Sequence, residues 1–244
     1  MKKILKMEVY ELTHDFICLL MIGITFLFGI FSGSGYLEDP YFNLTKGGYE
    51  VFILMLYDST ALIILISVFT ALLMGKSFFN RTIVLKIMSG NSRKNVFLSK
   101  VISILTISTI SMLMFPISGA LTMTIKYGWN VPILQSIITL FKIIICTTLL
   151  DFGIFSVIIL FGVIFRDTVR TVTASVITIF LNVIYFAYSY ILNLPRSMHP
   201  LCLLRTILAN NSWSQFIIFS LYAIVLLSVI LLVSYNIFCK CELK

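Results

Sequence analysis

Charge is scarce in this chain. Only 11% of its 244 residues are Asp, Glu, Lys or Arg, and just 10 of them are acidic. A soluble domain carries about 25% charged residues. With 59% apolar residues and a mean hydropathy of +1.05, the chain has too little polar surface to cover a water-soluble globule. A polytopic membrane protein is the economical alternative. Histidine is nearly absent: His14 and His199 stand alone, and no H-E-x-x-H motif occurs, which argues against an intramembrane metalloenzyme. The cysteines, Cys18, Cys146, Cys202, Cys239 and Cys241, are odd in number and scattered, so they give no disulfide framework. Cys239-Lys-Cys241 has no neighbouring His to complete a metal site. A phosphate-binding loop is missing as well. Gly75-Lys76-Ser77 matches the end of such a loop, but Thr70 stands where the first Gly is required, and the preceding run is helical rather than a strand.

Long apolar runs are abundant. A spanning helix needs about 20 mostly apolar residues. Six runs qualify: Phe16–Ser34, Val51–Met74, Val101–Ile125, Pro132–Phe165, Val169–Leu194 and Phe216–Phe238. The expected fold is therefore all-α, one transmembrane domain over residues 1–244. Residues 1–15 come before the first run. They are too long for a leader's basic region and no small-residue cleavage site follows, so the first run is expected to stay as a span. Ile4, Leu5, Val9 and Leu12 share one helical face there, with Lys2, Lys3 and Lys6 elsewhere and Glu8 spoiling the apolar face. That pattern predicts an amphipathic helix lying on the membrane surface.

The net charge of +8 is a topological signal. Lys and Arg flank the apolar runs and concentrate in alternate connections, chiefly Lys2, Lys3, Lys6, six residues between Lys76 and Lys100, Arg166, Arg170, Lys240 and Lys244. The opposite connections hold Lys46, Lys126, Arg196 and Arg205. The positive-inside rule then places both termini in the cytoplasm, with the lipid bilayer as partner and no nucleic acid. The outer segment at 193–215 is predicted to form one or two short re-entrant helices, anchored by Trp213 at the interface.

The connection from Lys76 to Lys100 carries six basic residues and no acidic one. Phe78, Phe79, Thr82, Ile83 and Lys86 are expected close together on a short helix. Ser89-Gly90-Asn91 stops it through a left-handed cap, and Ser92 caps the next helix. Asn80-Arg81-Thr82-Ile83, then Ser89-Gly90-Asn91-Ser92-Arg93-Lys94, then Val96-Phe97-Leu98-Ser99-Lys100 resembles the loop after the second of six spans in type-2 ABC transporter permeases. It departs from that pattern at Lys76 and Ser77, where an acidic residue is usual, and at Arg81, where Gly is usual. The resemblance also covers the surface helix before the first span and the short helices before the last. It implies a bacterial plasma-membrane exporter subunit that works as a homo- or heterodimer. Its loop would seat on a cytoplasmic ABC ATPase through Phe78, Phe79, Arg81, Thr82, Ile83, Lys86, Arg93 and Lys94. ATP and Mg would bind that partner, with no cofactor and no catalysis on this chain. Small size and the absence of a large outer domain resemble permeases for antimicrobial-peptide immunity or export.

Polar groups within the runs are costly and need partners or functions. Asp58 and Lys142 lie at similar depth from the outer side and are candidates to pair; the alternative is that Lys142 snorkels outward. Asp151 lies on the opposite helix face from Lys142. In the fifth run Thr171, Ser175, Thr178, Asn182, Tyr185 and Ser189 form one polar stripe, which suits helix packing, or a pathway or dimer interface. A secondary transporter or channel is the main alternative function. Pro116 interrupts the third run as such proteins' broken helices do, but no internal repeat accompanies it.

Overall fold

The computed structural model describes residues 2–35, 47–193, 199–209 and 212–240. It is helical, with no strand among the described residues. We number the helices α1 Lys2–His14, α2 Phe16–Ser32, α3 Gly48–Tyr57, α4 Thr60–Phe79, α5 Thr82–Met88, α6 Arg93–Tyr127, α7 Ile133–Phe165, α8 Thr168–Ile191, α9 Pro200–Ala209 and α10 Trp213–Lys240. Five of them are long and apolar enough to cross a membrane unaided, and α1 with α2 supplies a sixth candidate across a 63° bend. The molecule is thus an all-α polytopic membrane protein.

The caps explain where the helices begin. Asp15 ends α1 and caps α2 by accepting from the Ile17 amide at 3.0 Å. Ser92 caps α6 by accepting from the Asn95 amide at 3.3 Å, as its position in the sequence predicts. Asp167 does the same for α8 through the Arg170 amide at 3.0 Å. Gly90 has φ +87, the left-handed conformation that stops α5.

Three boundaries depart from expectation. The second run is two helices, because the backbone leaves helical geometry at Asp58 (φ −103, ψ 39) before restarting after Ser59. Asp and Ser both have poor helix-interior propensity, which suits them to such a break. The helix after the basic loop starts at Arg93 and continues unbroken past Pro116, so the proline does not break it. The short loop helix spans only Thr82–Met88. Phe78 and Phe79 belong to the end of α4, and Arg81 reverses the chain between them with φ 54.

The tightest helix pairings are α7 with α10, α2 with α6, α4 with α8, and α3 with α6. Glycines permit the close ones: a Cβ on Gly29 would strike Ser118 Oγ and the Phe115 carbonyl, and one on Gly33 would lie 3.2 Å from the Gly119 backbone. Phe97 packs against Phe238 (5.4 Å between ring centroids) and Tyr235 (5.6 Å), and Phe78 also meets Phe238 (6.5 Å), so α4, α6 and α10 are pinned together at the basic end. The outer faces of α8 and α10 remain largely apolar and exposed, among them Ile177, Phe180, Leu181, Ile218, Leu221 and Val229, as lipid-facing surfaces must be.

Of the expected outer segment at 193–215, Asn193, the helix Pro200–Ala209 and Ser212–Gln215 are described; residues 194–198 and 210–211 lie outside the described residues, as does Cys241. Leu201, Cys202 and Leu203 of α9 are buried against the bundle. They make this a docked short helix, too short to span.

Candidate functional site

The basic end of the bundle is organised by a buried group of charges that sequence alone did not assemble. In α1, Ile4, Glu8 and Leu12 follow a spacing of four and point into the protein, exposed to 5%, 0% and 7%. Lys86 of α5 donates to Glu8 Oε1 at 2.6 Å and to Glu11 Oε2 at 2.7 Å, and Lys100 of α6 donates to Glu8 Oε2 at 3.2 Å. Two lysines and two glutamates thus compensate each other in a largely dry site. Beside them Lys76 pairs with Asp15 at 2.6 Å, tying the end of α4 to the α1–α2 bend.

Glu8 therefore does not spoil an apolar face. It is the hub that joins α1, α5 and α6. The available signal was a lone carboxylate on the apolar stripe of a lysine-rich helix, in a chain short of acids. Burial of such a group requires a cationic partner, and the lysine-rich loop is the obvious source.

This arrangement corrects part of the expected docking surface. Lys86 (3% exposed), Ile83 (2%) and Phe78 (8%) are buried within the chain, since α5 turns that side toward α1 and the core. They are not available to a partner in this conformation. Arg81, Arg93 and Lys94 are exposed and Thr82 is half-buried, its Oγ1 donating to the Ser77 carbonyl at 3.0 Å. Arg93 Nη1 also donates to the Cys239 carbonyl at 2.7 Å, holding the end of α10. Two residues were missed. Leu85 (62% exposed) and Met88 (77%) lie one turn apart on the exposed side of α5, and Phe79 (71%) is exposed at the end of α4, in a connection that also exposes Arg81, Arg93 and Lys94.

The intramembrane candidates differ in exposure. Asp58 is exposed at the α3–α4 break. Lys142 is 5% exposed, and its Nζ lies 4.9 Å from the centre of the Trp213 ring, a cation–π contact with the aromatic at the start of α10. Asp151 is buried mid-way along α7, and its Oδ1 has no hydrogen-bond partner among the described residues.

The polar stripe of the fifth run divides in two. Thr171 and Ser175 are fully buried on the helix that packs against α4, so they serve packing within the chain, not a subunit interface. Thr178, Asn182 and Tyr185 are half-buried toward the opposite end. Asn182 Oδ1 lies 3.0 Å from His199 Nε2, and the Tyr185 ring stacks on the imidazole at 5.0 Å. Ser189 is buried 3.9 Å from the Cys202 thiol. The stripe is what docks the α9 segment onto α8. Burial lowers the pKa of His199 below its ordinary 6.5, so the ring there is neutral at physiological pH.

An all-α polytopic membrane protein with a charge-latched basic end is the class that fold and site define. No protein-family model matches the chain, and no curated protein sequence matches it.

Proposed function

We propose that this chain is the membrane permease subunit of an ATP-driven exporter of the ABC type. It supplies half of a translocation pathway, in company with a second copy of itself or a related permease. A separate cytoplasmic ATPase carries the ATP and Mg and seats on the basic loop, and the exported molecule is an antimicrobial or other amphipathic peptide. Five candidate spans, or six with the bent pair α1–α2, support this, as does the basic loop sequence. The observation that carries it is the mounting of α5. Lys86 anchors the helix on its buried side, while Phe79, Leu85 and Met88 are exposed in the same connection as the exposed Arg81, Arg93 and Lys94. Exposed apolar side chains beside charged ones in a connection between spans suit a protein-docking surface.

The test is purification of the tagged chain from membranes of its own source in mild detergent. A stoichiometric ATPase whose hydrolysis depends on the chain is expected. Leu85→Glu with Met88→Glu should abolish its association while the melting profile stays the same. An ATPase that remains bound to the double variant, or a chain that transports without one, overturns the proposal.

One observation favours a second function, a transporter driven by an ion gradient. Asp151 is a buried mid-helix carboxylate without a hydrogen-bond partner on Oδ1 among the described residues, and such groups mark proton relays in transporters. Uptake into proteoliposomes driven by a pH gradient alone, and lost in Asp151→Asn, would establish it in place of the exporter.

A further inference from the structure

The bend between α1 and α2 leaves an open pocket of about 320 Å³ against the end of α4, at the basic end of the bundle. That is about twice the roughly 150 Å³ cavity that admits benzene in a well-studied engineered protein. Unlike that cavity, this one is lined by charged and polar side chains as well as apolar ones.

Its two walls differ in chemistry. The α1 wall accepts. Glu11 and His14 stand one turn apart and both line the pocket. Glu11 gives Oε2 to Lys86, and with 36% of its side chain exposed it keeps Oε1 for another donor. His14 Nδ1 lies 2.9 Å from the Tyr10 carbonyl, which can only accept, so Nδ1 carries the proton and Nε2 of the neutral ring is the acceptor. The α4 wall donates. Lys76 Nζ gives one of its three hydrogens to Asp15 at 2.6 Å, and its side chain is 42% exposed. Asn80, exposed one turn further on, adds an amide NH2. Both oxygens of Asp15 are already engaged, Oδ1 by the Ile17 amide and Oδ2 by Lys76.

The ion-pair network around the pocket balances, with Lys76, Lys86 and Lys100 against Glu8, Glu11 and Asp15. A net anion is therefore not favoured by overall charge. A ligand with an anionic acceptor at one end and a cationic donor at the other meets both walls. Leu12, Phe16 and Leu73 complete the lining, and Phe16 is exposed at the first residue of α2, where the first apolar run begins. The rest of the ligand is accordingly apolar and continues into lipid.

We propose that this pocket binds the headgroup of a phospholipid bearing a primary ammonium, the phosphoethanolamine type. The phosphate accepts from Lys76 and Asn80, the ammonium donates to Glu11 and His14, and the acyl chains leave past Phe16. A quaternary ammonium has no N–H to give the α1 wall, so a phosphocholine lipid of equal charge is held less tightly. The assignment holds whether or not an ATPase docks on the basic loop.

Native mass spectrometry of the delipidated chain in detergent counts bound lipid. One phosphatidylethanolamine should bind saturably, about tenfold or more tightly than phosphatidylcholine with the same acyl chains, the worth of one hydrogen bond to a charged group. Phosphatidylglycerol, which keeps the phosphate and lacks the ammonium, should bind as weakly as phosphatidylcholine. Glycerophosphoethanolamine, the headgroup without chains, should not compete at equal concentration. Glu11→Gln removes the anionic acceptor and should erase the preference. Because Glu11 also steadies Lys86, His14→Leu is the second variant. His14 lies outside the ion-pair network, so this change should reduce the preference severalfold with little change in melting temperature. Equal binding of phosphatidylethanolamine and phosphatidylcholine, a preference that survives both variants, or binding that never saturates would overturn the proposal. So would full competition by glycerophosphoethanolamine, which would mark a site for a soluble zwitterion.

Discussion

Glu8→Gln keeps the size and planarity of the side chain but removes the charge that two buried lysines share. In the native chain Glu8 meets Lys86 at 2.6 Å and Lys100 at 3.2 Å. Lys86 keeps a second carboxylate, Glu11, at 2.7 Å, so its loss is partial. Lys100, only 5% exposed, loses its one carboxylate contact among the described residues. Leaving one partner of a buried ion pair uncompensated costs about 3–5 kcal/mol. The spare carboxylate and the amide oxygen that replaces Oε1 favour the lower end, about 3 kcal/mol. For a chain of this size that corresponds to a fall in Tm of roughly 6–12 °C. Hydrogen exchange should locate the damage, with α1 and α5 losing protection before α7 and α10. The double variant Glu8→Gln with Lys100→Met restores neutrality with apolar bulk and should recover most of the loss, because replacing a whole buried pair is often neutral. A melting temperature for Glu8→Gln within about 1 °C of wild type, or a double variant no better than the single, would refute the latch.

Gly29→Val should destabilise the chain by about 2 kcal/mol through overpacking against Phe115 and Ser118, whereas Gly23→Ala, whose new Cβ meets nothing within 4 Å, should be neutral or slightly stabilising by thermal melting. The His199 pKa is lowered in the fold, so the folded chain binds fewer protons there than the unfolded one, and docking of α9 is complete above pH 6.5 and weakens as pH falls below it. Protection of the α9 amides should therefore decrease between pH 7.5 and 5.5, and His199→Gln should remove that dependence. Trp213→Leu removes the ring beneath Lys142 and should destabilise the chain by about 1 kcal/mol in thermal melting.

The apolar runs and the caps at Ser92 and Gly90 were legible because span length and cap chemistry are local. The site was only half legible. Arg81, Arg93 and Lys94 lie on the surface as the loop sequence suggests. Which face of α5 looks outward depended on a contact with Glu8, 78 residues away from Lys86 in sequence. Periodicity within the loop carries no record of such a partner, so Lys86 was assigned outward and Leu85 and Met88 were passed over. The same limit applies to the fifth run. Its polar stripe was visible from spacing, but that Thr171 and Ser175 are buried within the chain while Asn182 receives His199 are tertiary facts. Pro116 misled for another reason: a helix tolerates proline when neighbouring helices and side chains compensate for the lost backbone bond.

The helix that begins at Ser92 has a mechanical consequence. From Arg93 to Phe115 it contains no proline or glycine, roughly 33 Å of uninterrupted backbone bonding. Lys100 grips Glu8 of α1 near one end of that stretch, and Phe115 meets Gly29 of the first span at the other. A stiff beam clamped in this way acts as a lever arm. A swing of about 5° at the charged end displaces the other end by about 3 Å, and at Gly29, where there is no slack for even a methyl group, the first span must move with it.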